Sequence, residues 1–406
     1  MKRWVLAGIT IFSMMAMLSG CNGGSGSPFQ AEEENQELDQ TRAASYPNGV
    51  VKVFNWGEYI DESVIQQFED EYGIQVIYDT FTTNEEMYPK IAANPSLYDV
   101  ICPSDYMIEK MIQNDLLKEI DWEQVPNMKN MNDLCMERVE DFDPGNRYTV
   151  PYTWGTVGIL YNKKMVTTPI DSWDVLWDET YANNIIMQDS VRDAFMVALK
   201  KLGYSCNSTD AQELNEAMEL LKQQKPLVKA YAIDEVRDKM INDSAALGVI
   251  YSGEYLYCHE ENEDLVYVVP EEGSNLWFDG WVITKEAQNL ENAYKWLDFL
   301  CRAEIAYANF EYITYATPNE AAKAMIDPEY LNDPGVFATE ERMEKCEIYK
   351  YLGTEMEDMY YELWELVGLV NDEPAGFRED GPLSRPAVNG IRQEQVVVAD
   401  LELIPA

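Results

Sequence analysis

Histidine occurs once in 406 residues, as His259. A Ser-His-Asp or Cys-His mechanism would have to run through it, inside the acidic stretch Cys258-His-Glu-Glu-Asn-Glu263. No second histidine and no nearby cysteine pair completes a zinc site, so His259 reads as a solvated loop residue and no metal is expected. Basic residues are scarce: 30 Lys and Arg face 73 Asp and Glu, a formal net charge of −43. That balance excludes nucleic acid as a partner, since phosphate needs basic patches. It suits a cationic ligand drawn in by the field of the protein, and solubility alone accounts for much of the charge as well. After Leu18 no apolar run approaches the roughly 20 residues that cross a bilayer. C-x-x-C pairs are missing too. Besides Cys21 there are Cys102, Cys135, Cys206, Cys258, Cys301 and Cys346. Outside the cytoplasm such a set permits disulfides, buried free thiols fit equally, and no pairing follows.

The first residues carry their own pattern. Lys2 and Arg3 precede an apolar stretch, Trp4 to Leu18, interrupted by Gly8, Thr10 and Ser13. It is short for a membrane span and ends in Leu18-Ser-Gly-Cys21, small residues just before a cysteine. This resembles a bacterial lipoprotein signal. The resemblance implies a signal peptide over 1–20, lipidation of Cys21, and a location outside the cytoplasm on the membrane's outer face, or in the periplasm of a cell with an outer membrane. A single acyl chain anchors only marginally, so stable attachment calls for a multiply acylated cysteine. Residues 21–46 are Gly, Ser and acidic residues with almost nothing to bury, and read as a flexible tether.

The rest is too long for one small core, so two lobes are expected. Val50–Trp56 is rich in β-formers; a helix capped by Asp61 or Ser63 and stopped by Gly73 follows; Ile74, Val76 and Tyr78 then alternate as in a half-buried strand. A helix over 85–93 and a buried strand over 98–102 continue the alternation, which predicts a parallel α/β sheet. Beyond Trp154 the chain predicts strands at 155–161, 246–251, 265–269 and 280–284, and helices at 190–202, 210–223, around 290–300 and at 355–370. After Asn371, Pro374, Gly376, Gly381, Pro382 and Pro386 lead one to expect an irregular tail.

Several segments set an aromatic beside a carboxylate or hydroxyl, each expected just past a strand: Trp56, Glu58 and Tyr59; Ser104 and Tyr106; Tyr251 and Glu254; Trp277 and Asp279; Thr314 and Tyr315. Open α/β sheets bind ligands beyond the carboxyl ends of their strands, so distant segments can converge on one cleft. Carboxylates hold a protonated amine by charge-assisted hydrogen bonds. Aromatic faces attract the same cation at about 0.5–2 kcal/mol per contact and cover the methylenes between amines. Taken singly, each of these residues is more often core or solvated surface.

Six ordered segments resemble the spermidine/putrescine-binding proteins of ABC transporters: Val53-Phe-Asn-Trp-Gly-Glu-Tyr59, Tyr98-Asp-Val-Ile-Cys-Pro-Ser-Asp-Tyr106, Pro151-Tyr-Thr-Trp-Gly155, Leu202-Gly-Tyr-Ser205, Leu276-Trp-Phe-Asp279 and Tyr315-Ala-Thr-Pro-Asn319. The resemblance implies an α/β, two-lobed periplasmic-binding-protein fold, type II-like, with crossover hinge strands. Its first lobe would take 47–153 plus 277–323, its second 154–276 plus 324–372, and 373–406 would be an irregular tail. It implies a monomer that binds spermidine or putrescine, needs no cofactor, catalyses nothing and serves an ABC permease. Ligand contacts carry over onto Trp56, Glu58, Tyr59, Ser104, Tyr106, Trp277, Asp279 and Tyr315. Asp193 falls on a family acid, and Tyr349 lies near a family Gln.

The sequence also departs from the family. Ser190 replaces a ligand aspartate of the spermidine binder, Tyr251 stands where Trp is frequent, and Glu254 is acidic as in the putrescine binder. One acid is lost and one gained, which moves where an amine would sit. Two rivals stay open at this point. One is the same fold on another cation or a ferric complex. The other is a secreted hydrolase using two carboxylates about 5–10 Å apart.

Overall fold

Strand β1 (Val50–Trp56) buries Val51 and Val53 to Asn55. Helix α1 (Glu62–Tyr72) starts at Asp61, whose carboxylate accepts from the Ser63 amide, and stops at Gly73 in the left-handed region (φ 61°). Its Val64 and Phe68 face the core, so the chain returns as β2 (Gln75–Phe81) parallel to β1, with Val51 beside Val76. This computed structural model describes residues 46–368 apart from residue 234. The expected signal segment, Cys21, nearly all of the tether and the irregular tail lie outside the described residues.

The chain continues through α2 (Asn84–Ala93), β3 (Val100–Ile101), α3 (Asp105–Gln113), β4 (Leu117–Lys118) and α4 (Asp133–Val139) to the long strand β5 (Val150–Asn162). Next come β6 (Ile185–Gln188), α5 (Val191–Leu202), α6 (Ala211–Gln224), β7 (Val228–Ala232), α7 (Glu235–Ile241), β8 (Leu247–Tyr251), α8 (Ser252–Glu261) and β9 (Leu265–Val268). A second long strand, β10 (Leu276–Thr284), leads to α9 (Leu290–Leu300) and α10 (Ala303–Ile313), and after several short turns to α11 (Thr354–Val367).

The strands run β2-β1-β3-β10-β5-β8-β6-β7, with β4 also on β10 and β9 on β5. Pairing is parallel at both ends, β2-β1-β3 and β8-β6-β7, and antiparallel in the middle. The two long strands make the join. Val150 to Thr156 of β5 pair with β10, and Val157 to Tyr161 pair with β8. Likewise Leu276 to Trp281 of β10 pair with β5, while Val282 and Ile283 pair with β3. Two α/β halves thus share a pair of crossing strands. The first half packs Phe68, Trp281, Trp296 and Phe299 together. In the second, α11 lays Tyr360, Leu363 and Trp364 on Phe195 and Leu214 of α5 and α6.

The halves touch directly. The Lys110 ammonium of α3 lies 4.9 Å from the ring centres of both Tyr88 and Tyr351 and 3.1 Å from the Glu357 carboxylate. The Tyr351 amide donates to Glu109 at 2.8 Å.

Three expectations change. The buried strand expected over 98–102 shrinks to Val100–Ile101; the Asp99 and Cys102 amides still reach the Lys52 and Phe54 carbonyls, while the buried Asp99 carboxylate accepts from the amides of Lys52, Gln288 and Asn289. Trp277 and Asp279 lie inside β10 rather than beyond a strand, since the expected strand began at 280 and the observed one begins at Leu276. Tyr315 follows a helix, after Thr314 caps α10 in the left-handed region (φ 62°).

Candidate functional site

The crossing of β5 and β10 lies between the halves, and a bulge between Asp279 and Gly280 breaks the β10 register there. Bulges re-aim side chains. The Asp279 carboxylate accepts from the Tyr59 hydroxyl at 2.7 Å and from Ser104. Tyr59 is further held by the Thr153 hydroxyl at 2.5 Å. Tyr59 reaches this point because the chain turns sharply after β1, with Glu58 at φ 52°. Ser104 stands at the start of α3, opposite Asp279 in an isolated bridge. Asp279 is buried, and that burial pushes its carboxyl up to about 6, with the Tyr59 and Ser104 hydrogen bonds holding it back.

A second buried carboxylate, Asp193, sits in the first turn of α5. Ser190 caps that helix, its hydroxyl accepting from the Asp193 amide at 3.4 Å. Asp193 accepts from Tyr251 at 2.7 Å and from Tyr349 at 2.9 Å. The Arg192 guanidinium covers the Tyr349 ring at 4.4 Å and donates to Asn207, which fixes that tyrosine from behind.

An aromatic array links the two carboxylates. The Tyr251 ring meets Trp277 edge-on at 6.4 Å, Trp277 meets Tyr315 at 5.3 Å, and Tyr315 meets Tyr59 at 5.6 Å. Two glycines make room for it. A Cβ on Gly155 would fall 2.5 Å from the Trp277 ring, and one on Gly253 only 1.1 Å from the Tyr315 ring. Gly253→Ala is therefore expected to overpack the site and cost about 1–3 kcal/mol. Thermal unfolding reads this out; an unchanged midpoint would mean that the Tyr315 ring moves aside without strain.

The remaining expected residues occupy different surroundings. Tyr106 receives a hydrogen bond from Asn84 at 3.0 Å and donates to Glu85 at 2.8 Å; it also packs against the core that holds Trp277 and Tyr349. Glu254 accepts from Tyr315 at 3.1 Å and pairs with Arg237 at 3.1 Å. Trp56 is half-buried against Phe81 at 4.6 Å. Glu58 is exposed, and among the described residues no hydrogen bond or ion pair ties it to Asp279 or Asp193; its charge acts on Tyr312.

The sequence reading missed Asp105, which is fully buried beneath the site. It accepts from the Tyr106 and Phe278 amides, so it locks the start of α3 onto β10. Burial pushes its carboxyl well above the ordinary range. Its place between Ser104 and Tyr106 was the available signal. Thr153, Asn84 and Arg237 gave none, because only the fold brings them near.

Burial also raises the hydroxyls of Tyr59, Tyr106, Tyr251 and Tyr349 well above their ordinary range, so each stays a protonated donor. All six described cysteines are buried and free, and burial pushes every one of these thiols up, away from the reactive thiolate. Among the described residues no group of three His, Cys, Asp or Glu is placed to hold a metal ion. His259 lies on α8 rather than in a loop, half-buried beside Tyr255, with Nδ1 2.8 Å from the Leu265 carbonyl. No described helix is long and apolar enough to cross a membrane.

The family described as bacterial extracellular solute-binding protein matches residues 63–338. The spermidine/putrescine-binding periplasmic protein of Salmonella typhimurium is 34% identical over 312 residues, covering 76% of this chain and 89% of the relative. The putrescine-binding periplasmic protein SpuD of Pseudomonas aeruginosa is 31% identical over 320 residues, covering 75% and 87%. Among solved structures, the spermidine/putrescine ABC transporter substrate-binding protein PotD of Streptococcus pneumoniae is 39% identical, with a TM-score of 0.73 over 79% of this chain and 99% of that one. A spermidine/putrescine transporter protein of Listeria monocytogenes gives 39% and 0.74 over the same shares. These neighbours have the two-lobed fold expected from the sequence. The chain belongs to the bacterial extracellular solute-binding proteins and, within them, to the spermidine/putrescine-binding family.

Proposed function

We propose that this protein captures a polyamine, spermidine or putrescine, between its two lobes and delivers it to an ABC importer, making and breaking no bond. One observation carries the reading: the run Asp193–Tyr251–Trp277–Tyr315–Tyr59–Asp279, an aromatic wall with a buried carboxylate at each end. A linear polyamine alternates ammonium groups and methylenes, and this wall repeats that order. Each carboxylate is steadied by hydroxyl donors and keeps acceptor capacity, since an ionised carboxyl offers about four lone-pair sites. Tyr106, Ser104, Trp56 and Tyr349 complete the slot, and Glu254 borders it through Tyr315. Glu58 contributes charge from the rim.

The family's lobe bounds, 47–153 plus 277–323 against 154–276 plus 324–372 (369–372 lying outside the described residues), fall close to the crossing of β5 and β10, where β5 passes from β10 to β8 between Thr156 and Val157, which supports a division there. Closure engages Lys110 of one lobe with Tyr351 and Glu357 of the other. The signal over 1–20 would direct export and be cleaved before Cys21, whose lipid would then hold the monomer at the outer face of the membrane, in reach of its permease.

The test is calorimetric titration of protein stripped of ligand by unfolding and refolding. Putrescine or spermidine is expected to bind at micromolar or tighter affinity and to be recovered unchanged. Absence of heat with both would sink the polyamine reading.

A further inference from the structure

Glu254 and Arg237 form an ion pair that the slot itself does not require. Glu254 lies in the first turn of α8 and Arg237 on α7. One Glu254 oxygen accepts from Tyr315, whose ring is part of the aromatic wall; the other pairs with Arg237 at 3.1 Å. Arg237 also covers the Tyr257 ring at 5.0 Å and lies 3.7 Å from the exposed Asp238 carboxylate, so the guanidinium is held from further sides, with Glu254 its nearer and more buried partner. Its side chain is 34% exposed and that of Glu254 23%, which puts the pair at the border of the slot, within its field and not in its floor.

We propose that Arg237 is a selectivity-setting residue: it cancels the charge of Glu254, so that the slot presents two effective carboxylates, Asp279 and Asp193, and not three. This inference rests on the polyamine reading above. The chemistry is a charge count. A third uncompensated carboxylate beside Tyr315 would favour amines in proportion to their charge, spermine above spermidine above putrescine. A positive guanidinium at the same border lowers that gradient and leaves the ends of the wall to choose the ligand by length. Tyr315 transmits the effect, since its hydroxyl bonds the paired carboxylate and its ring faces the ligand space.

The experiment is calorimetry on the full chain with putrescine, spermidine and spermine, for the native protein, Arg237→Gln, Glu254→Gln and the double variant. Arg237→Gln is expected to tighten binding by about tenfold for spermine, less for spermidine and least for putrescine, the scale of one unit charge acting through a surface-like dielectric. Glu254→Gln leaves the guanidinium to Asp238 alone, 3.7 Å away and more exposed, and is expected to weaken all three by a similar factor, most for spermine. The double variant returns to within about threefold of the native protein. Arg237→Lys keeps the charge and stays near native, which separates charge from packing. Equal affinities in native and Arg237→Gln protein for all three amines, or a change that ignores ligand charge, overturns the proposal. Asp279→Asn in parallel keeps the two readings apart. If native protein binds and Asp279→Asn does not while Arg237→Gln is silent, only the Arg237 assignment falls. If native protein binds no amine, the polyamine reading falls first.

Discussion

Asp279→Asn is expected to lose polyamine affinity by about 100-fold or more and yet to unfold at a higher temperature than the native protein without ligand. The binding loss follows from removing one partner of a buried, hydrogen-bonded charge pair, which costs about 2–5 kcal/mol. The stability gain follows from the raised carboxyl. Burial pushes the Asp279 carboxyl up to about 6 in the fold, against an ordinary value near 3.8. The folded chain therefore binds more protons than the unfolded chain between those two values, and this group's contribution to stability falls as pH rises through that window. Above about pH 6 the full penalty applies, on the order of 1–3 kcal/mol. Asparagine fills the same space and can still accept from Tyr59 or Ser104, but carries no charge to desolvate. Thermal unfolding without ligand should show the variant more stable by a few degrees near neutral pH, with the difference gone near pH 4. A variant that binds within threefold of native protein, or that melts lower at neutral pH, contradicts this account.

The same carboxyl predicts the pH dependence of binding. A bound ammonium favours the ionised form, so binding below about pH 6 must expel a proton, and affinity should fall by up to tenfold per pH unit below that value. Calorimetry at about pH 5, 6 and 7.5 reads the slope. Asp279→Asn should flatten it, while a slope that survives in the variant would assign the proton to another group.

Trp277→Ala is the second large effect. The indole is buried, contacts Tyr251 and Tyr315 edge-on, and occupies the space that Gly155 leaves open. Removing it takes away the best cation-attracting face of the wall and opens a cavity. A stability cost of about 3–5 kcal/mol and an affinity loss of about 100-fold are expected, the first from the cavity and the second from the lost wall and the freed Tyr315. Trp277→Phe separates them. It keeps a ring against Gly155, so it should recover most of the stability while binding about tenfold more weakly than native protein. Native affinity in Trp277→Ala would remove this ring from the ligand's wall.

Local signals carried much of the fold. Asp61 and Gly73 bound α1 because capping and left-handed backbone are short-range properties of those side chains. The alternation of strands and helices was legible for the same reason. Failures came where distant groups compete for the backbone. Asp99 takes amides from two remote segments, Lys52 and the adjacent Gln288 and Asn289, beside a β3 of only two residues, and no window along the chain holds those partners together.

The residues of the slot could likewise be named from the sequence, since aromatics beside carboxylates are visible as pairs. What they do was decided in three dimensions. Tyr251 and Tyr349 converge on Asp193 from positions far apart in the chain, and Glu254 meets Arg237 only when α7 packs beside α8. Glu58, as acidic as the rest, points to solvent. A sequence records which side chains carry charge; burial and the partner across the fold set what that charge is worth. By itself the sequence determined the anionic character, the α/β alternation, the single histidine and the candidate residues. Only the tertiary structure decided which carboxylates lie buried among hydroxyl donors and which one pairs with a guanidinium, because that depends on distances of a few ångströms between segments that are remote along the chain.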